Sequence, residues 1–385
     1  MTSGPVRVSV FGKTDLGLAR EHNEDAFLVA DLSARNASLQ PEIRDHVVGP
    51  KGSLFLVADG MGGAAAGELA SQMAADLIYT HLTTVWATDH ETSDERFAYR
   101  MREAVELANH RIHEYAREHP ELRGMGTTAT VAGVYGDALW LAQIGDSRAY
   151  LARGGEVIQL TKDQSLMQRL VDAGEMTEEE AEQSERRNII LQALGPDPRV
   201  KVDLTHQALE RGDTLIICSD GLSGQVRREE IGELITEYPE PAELCTALIN
   251  LANSRGGPDN ITVVVARLEG EGLPESGGAG DVGYQRYRLP ETAAPTGERV
   301  VVRKTLEVAS PSAPGAEAGL EPEPAPPQTA PAPPAATADE AQAPSEPAPS
   351  EPAPSESARL RRPGSMLVAI ALILLAMLLV YAATR

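Results

Sequence analysis

Apolar and polar positions alternate in short blocks over roughly the first 270 residues and then change character. Val6 to Phe11 reads as a first strand and Ala26 to Ala30 as a second, while the polar, Pro- and Gly-containing residues 33–52 read as a loop. Leu54 to Ala58 has the length and branching of a fully buried strand. Helical spacing follows over Ala64–His81 and Asp94–His119. Four strands are then predicted in close succession, Thr127–Val134, Ala138–Ile144, Ala149–Ala152 and Val157–Leu160. Such short spacing favours antiparallel pairing over βαβ crossovers. Region 163–195 predicts two short helices parted by Gly174, with an acidic run from Glu175 to Glu185. Strands Val200–Ala208 and Thr214–Ser219, helices Arg228–Tyr238 and Pro241–Ser254, and a last strand, Ile261–Leu268, complete the pattern.

Several of the strand-like runs begin or end on an acid beside Gly or a small polar residue. Leu54–Ala58 runs into Asp59-Gly60-Met61-Gly62-Gly63, and Glu24-Asp25 opens the Ala26 strand. Leu139–Ile144 leads to Gly145-Asp146-Ser147-Arg148, Thr214–Ser219 to Asp220-Gly221, and Gly257-Pro258-Asp259-Asn260 precedes the final strand. A carboxylate at the end of a buried strand is costly unless a cation or several donors satisfy it. One such acid reads equally well as a capped turn. Five sets in one context point to strand ends converging on hard cations, which take oxygen ligands.

The order R-x-x-N-E-D (Arg20–Asp25), A-D-G-M-G-G (Ala58–Gly63), G-T-T-A (Gly126–Ala129), G-D-S-R, S-D-G-L (Ser219–Leu222) and G-P-D-N-I-T (Gly257–Thr262) resembles the bacterial metal-dependent Ser/Thr phosphatases of the type 2C (PPM) family, collinearly over roughly residues 6–268. The resemblance implies an α+β fold, an αββα sandwich of two antiparallel sheets flanked by helices. It implies hydrolysis of phosphoserine and phosphothreonine in proteins, opposing Ser/Thr kinases, with two Mn²⁺ or Mg²⁺ ions activating water for in-line attack. By that resemblance Asp59 bridges both ions, Asp220 and Asp259 ligate one, and Glu24 and the Gly60 carbonyl ligate the other. Asp25 acts on the metals' waters, Asp146 with Asp220 holds a third, weaker ion, and Arg20 binds phosphate with its planar fork. Two positions depart from the family. Met61 stands where eukaryotic members carry a His proposed as general acid, leaving a water on the metals or His22 to protonate the leaving group. Asp163-Gln164-Ser165 stands for the familiar bacterial Asp-His-Ser at the base of the flap.

The net charge of −23 argues against nucleic-acid binding. Cys218 and Cys245 lack metal or disulfide spacing. The N-terminus carries no charged-then-apolar export signal. The catalytic domain is expected over 1–270 and a disordered linker over 271–365, since 14 of the chain's 27 prolines fall between Ala309 and Ala358. Met366–Ala383 is an 18-residue run without charge, the length of a short transmembrane helix. Arg359, Arg361 and Arg362 before it place the catalytic domain in the cytoplasm of a single-pass membrane protein. Two other functions fit less well: a phosphatase dedicated to one regulatory phosphoprotein, such as a sporulation or sigma-factor switch, and an inactive tethered binding module, which would have no need of five carboxylate motifs.

Overall fold

The computed structural model describes residues 4–34, 36–37, 45–184, 186–278, 280–290 and 293–294. Strands β1 (Arg7–Asp15), β2 (Asp25–Asp31), β3 (Asn36–Ala37), β4 (Asp45–Val47) and β5 (Ser53–Met61) precede helices α1 (Ala64–Thr84) and α2 (Asp94–Glu118). Then come β6 (Gly126–Thr127), β7 (Ala129–Tyr135), β8 (Ala138–Ile144), β9 (Arg148–Arg153) and β10 (Glu156–Gln159). The flap, the segment 164–192 between β10 and the next strand, holds α3 (Leu166–Asp172) and α4 (Glu178–Glu182). After it follow β11 (Asp203–Ala208), β12 (Thr214–Cys218), α5 (Asp220–Ser223), α6 (Arg228–Glu237), α7 (Pro241–Ser254) and β13 (Ile261–Glu269).

Two antiparallel sheets result, one ordered β10-β9-β12-β13-β1-β4 and the other β11-β8-β7-β5-β2-β3, with β6 beside β5. The two-residue side-chain period of a strand sorts each buried run between two layers. On β5, Phe55 and Val57 fill the space between the sheets with Val10, Leu141, Ile217 and Val264. Leu54, Leu56 and Ala58 face the opposite way, toward Ile78, Leu82, Met101 and Val105 of α1 and α2. On β13, Val263 and Val265 pack with Leu244, Leu248 and Ile249 of α7. These layers are the expected αββα sandwich.

Segment 33–52 departs from its loop assignment in holding β3 and β4, two edge strands too short to leave a periodic signal. Residues 271–278 and 280–290, assigned from sequence to the linker, pack against the fold, and Tyr284–Tyr287 run along β11. The Tyr287 amide donates to Leu204 O (2.7 Å) and the His206 amide to Gln285 O (3.3 Å). The Tyr284 hydroxyl donates to Asp203 Oδ2 (2.5 Å), Arg286 pairs with Asp203 Oδ1 (3.0 Å), and Leu273 is wholly buried. An open sheet edge offers unpaired main-chain groups, and this strap covers them with the last aromatic residues before the Pro-rich stretch. Residues 295–385, and with them most of the expected linker and the apolar run 366–383, lie outside the described residues. Among those described, no helix is long and apolar enough to cross a membrane.

Candidate active site

Antiparallel order brings the motif acids together. Strand β2 starts where β5 ends, in a register that sets Asp25 directly opposite Asp59. Strand β12 ends where β13 starts, so Asp220 and Asp259 lie just beyond the paired Cys218 and Val263. Hydrogen bonds then join the two sheets at this rim. Ser219 Oγ and Thr262 Oγ1 donate to Asp25 Oδ2 at 2.8 and 2.6 Å, and the Glu24 amide donates to Asn260 Oδ1 at 2.9 Å. Asn260 Nδ2 reaches the Leu16 and His22 carbonyls, bracing the loop that presents Arg20 and Glu24. Arg20 Nη2 donates to Asp259 Oδ2 at 2.7 Å. At Gly60 a Cβ would collide with the Gly67 and Glu24 carbonyls, and at Gly67 with the Glu24 carboxylate. Only glycine lets the start of α1 come this close to the acids.

Asp146 occupies the turn after β8 and reaches the cluster through Thr128. The Thr128 hydroxyl accepts from the Asp59 amide (2.9 Å) and bonds Ser147 Oγ (2.8 Å), while Thr127 Oγ1 donates to Asp59 O (2.9 Å). The G-T-T-A motif is therefore a brace between two acid-bearing segments. On the far side, Arg148 grips Asp163 through Nε and Nη2 at 2.8–3.1 Å.

The electrostatics are those of crowded acids. Burial first, then the charges of Asp25, Asp220, Asp146 and Asp259, hold the Asp59 carboxyl well above the usual range. Burial pushes Asp25 up to about 7 against the donations from Thr262 and Ser219. Burial, with Asp220 and Asp163 nearby, pushes Asp146 up to about 8. Asp220 is also raised, by burial and then by the charge of Asp259. Burial likewise raises Glu24.

Such a cluster suits divalent cations. Every donor is a hard oxygen, burial opposes ionisation at all five of these carboxyls, and the buried Asp146 Oδ1 has no hydrogen-bond partner. As the side chains stand, no three His, Cys, Asp or Glu among the described residues gather tightly enough to chelate one ion. The acids are instead tied to Arg20, Ser219 and Thr262. An ion that takes one or two carboxylates and keeps several waters does not require a tighter group.

Sequence reasoning missed several contributors. Within the predicted strand Thr127–Val134 no local pattern marks Thr128 as a brace of the Asp59 and Asp146 segments. Ser219 and Thr262 sit inside the quoted motifs, yet their donations to Asp25 span 194 and 237 residues. Arg187, on the flap, favours the ionised form of Asp220, an effect that no local pattern announces. His22 is exposed on its loop.

Residues 33–258 match the protein phosphatase 2C family. The chain is 38% identical over 298 residues to the serine/threonine protein phosphatase PstP of Mycobacterium tuberculosis, covering 76% of this chain and 52% of that one. It thus spans about half the length of that relative. Identity to the serine/threonine phosphatase stp of Listeria monocytogenes is 37% over 258 residues, 67% of this chain and 94% of the relative. The crystal structure of M. tuberculosis PstP/Ppp superposes with a TM-score of 0.58 at 39% identity, covering 68% of this chain and 99% of that one. A second structure, the PstP catalytic domain in complex with two manganese ions, gives 0.56 at 38% identity over 69% and 99%. Matched by the family model over more than half of its length and 37–38% identical to these phosphatases, the chain belongs to the protein phosphatase 2C family.

Proposed function

We propose that this chain is a metal-dependent serine/threonine protein phosphatase that hydrolyses phosphoserine and phosphothreonine in proteins and so opposes Ser/Thr kinases. The observation that carries the proposal is the Asp25–Asp59 register, which together with Asp220 and Asp259 puts acids from both sheets on one rim beside an exposed arginine. Asp59, Asp220, Asp259, Glu24 and the Gly60 carbonyl would hold two Mn²⁺ or Mg²⁺ ions, and Asp146 with Asp220 a third. Bound there, the ions would neutralise phosphoryl oxygens and make water a nucleophile at neutral pH. Asp25, with its carboxyl near the operating pH, is suited to accept or return a proton. Arg20 spends one of its five N–H donors on Asp259, which leaves donors for a phosphate.

We further read 1–270 as the catalytic portion, 271–365 as the segment containing the linker, and 366–383 as a single transmembrane helix that keeps the enzyme at the cell membrane with its active site cytoplasmic. The uncharged run and the three arginines before it support that reading.

The test is hydrolysis of p-nitrophenyl phosphate and phosphothreonine peptides with Mn²⁺. Chelator should abolish activity, and Asp59→Asn should lower kcat by orders of magnitude while the far-UV CD spectrum is retained. Full turnover in excess EDTA, or by Asp59→Asn, would sink the two-metal assignment. Removing 366–385 should shift the chain from the membrane to the soluble fraction with small-substrate turnover unchanged. A truncated chain that still pellets with membranes would refute the anchor.

A further inference from the structure

The departure at Gln164 has a geometric consequence. Gln164 Oε1 accepts two hydrogen bonds, from the Gly145 amide at 3.0 Å and from Gln192 Nε2 at 2.8 Å. Its Nε2 donates to Gln143 O at 3.3 Å. The Gln164 backbone amide donates to Gly145 O (2.9 Å), and its carbonyl accepts from the Leu191 amide (2.7 Å). Gln192 in turn holds Lys201 through both main-chain groups, donating to its carbonyl at 3.0 Å and accepting from its amide at 2.8 Å.

Gln164 and Gln192 mark the two ends of the flap, and Gly145 immediately precedes Asp146. One side chain therefore ties the start of the flap to its end and both to the Asp146 turn. The neighbouring Asp163–Arg148 pair clamps the other side of the same turn. An amide oxygen can take two donors at once because it has two lone pairs. A neutral imidazole offers one acceptor nitrogen and could satisfy either the Gly145 amide or Gln192, but not both.

We propose that Gln164 and Gln192 form an amide staple that closes the base of the flap and sets the position of Asp146. Gln164 is then a positioning residue, acting on the third metal position through Gly145. The metal half of this inference rests on the function proposed above, whereas the staple itself is independent of it.

The test uses the full chain and hydrogen exchange at pH 7, comparing Gln164→Ala, Gln192→Ala, the double variant and Gln164→Glu. Losing a hydrogen bond at the base should speed exchange of Gly145, Leu191 and the flap amides by about tenfold in either alanine variant. The double variant should fall short of the combined effect of the two single ones, because the Gln164–Gln192 bond is lost in both. Gln164→Glu keeps both acceptor positions but sets a carboxylate oxygen against Gln143 O, so it should restore only part of the protection lost in Gln164→Ala. A filler of space alone would not discriminate in this way. Calorimetric titration with Mn²⁺ should show the weakest binding step of Gln164→Ala loosened about fivefold with the tighter steps unmoved, a size typical of site coupling.

Unchanged exchange in both alanine variants, additive effects in the double variant, or a glutamate variant as loose as alanine would overturn the staple. If exchange behaves as expected but the weakest Mn²⁺ step does not move, the positioning of Asp146 is refuted. A wild-type chain inert toward p-nitrophenyl phosphate would instead refute the proposed function, leaving the exchange result to decide the staple.

Discussion

The carboxyl of Asp25 makes the metal-free protein sensitive to pH in an unusual direction. In the folded chain burial holds it up to about 7, whereas the unfolded chain releases that proton near the ordinary 3.8. Between pH 5 and 7 the folded state thus binds more protons than the unfolded one, so stability is lost as pH rises. Two pH units at about 1.4 kcal/mol each set the loss at roughly 2–3 kcal/mol. For a domain of this size that corresponds to a Tm fall of about 5–10 °C. His46 and His206 work the other way. Burial lowers both of their pKa values, so they add stability as pH climbs toward 6.5. Asp25→Asn isolates the carboxyl, since an amide does not ionise and can still meet Ser219 and Thr262. The assay is thermal melting in EDTA at several pH values for both proteins. The difference in Tm, variant minus wild type, should grow by about 5–10 °C from pH 5 to pH 7. Saturating Mn²⁺ should shrink that growth, because a cation favours the ionised carboxylates. Parallel pH profiles for the two proteins in EDTA would refute the reasoning.

Three further perturbations test other parts of the molecule. Arg20→Ala should raise KM for phosphopeptides more than it lowers kcat, because a guanidinium holding phosphate contributes largely uniform binding; a collapse of kcat at constant KM would make Arg20 a transition-state group. Ending the chain at residue 270 instead of 294 uncovers β11, leaves Asp203 without Tyr284 and Arg286, and exposes the pocket of Leu273. We expect a loss of about 3–5 kcal/mol by urea melting, and equal midpoints would show that the strap adds nothing. Asp213→Ala strands the Arg153 guanidinium, which reaches Asp213 from Nε at 2.7 Å and Nη2 at 2.6 Å, and should cost about 3–5 kcal/mol; a loss below about 1 kcal/mol would mean that Glu210 takes over the charge.

The strands, the two long helices and the acids at the strand ends were legible in the sequence, because each is written locally. A run such as Leu54–Ala58 states its own burial, and Asp59 stands next to it. The motif order identified the family for the same reason, motif residues being neighbours in the chain. The tertiary structure alone decided which acids meet. The choice of Asp59 opposite Asp25 is one of register, set by burying alternate side chains on two faces at once, and no single strand encodes its partner's position. The donations of Ser219 and Thr262 to Asp25, the double acceptance at Gln164, and the strap over β11 depend on segments that meet only when the layers pack. Short segments such as β3 and β4 pair because a neighbouring edge is available, not because their own pattern calls for it. Composition could place the linker only where proline accumulates. Docking of 271–278 and 280–290 required Leu273 and Tyr287 to find apolar surface and open main-chain groups, and Tyr284 the Asp203 carboxylate, that a distant part of the chain had left uncovered.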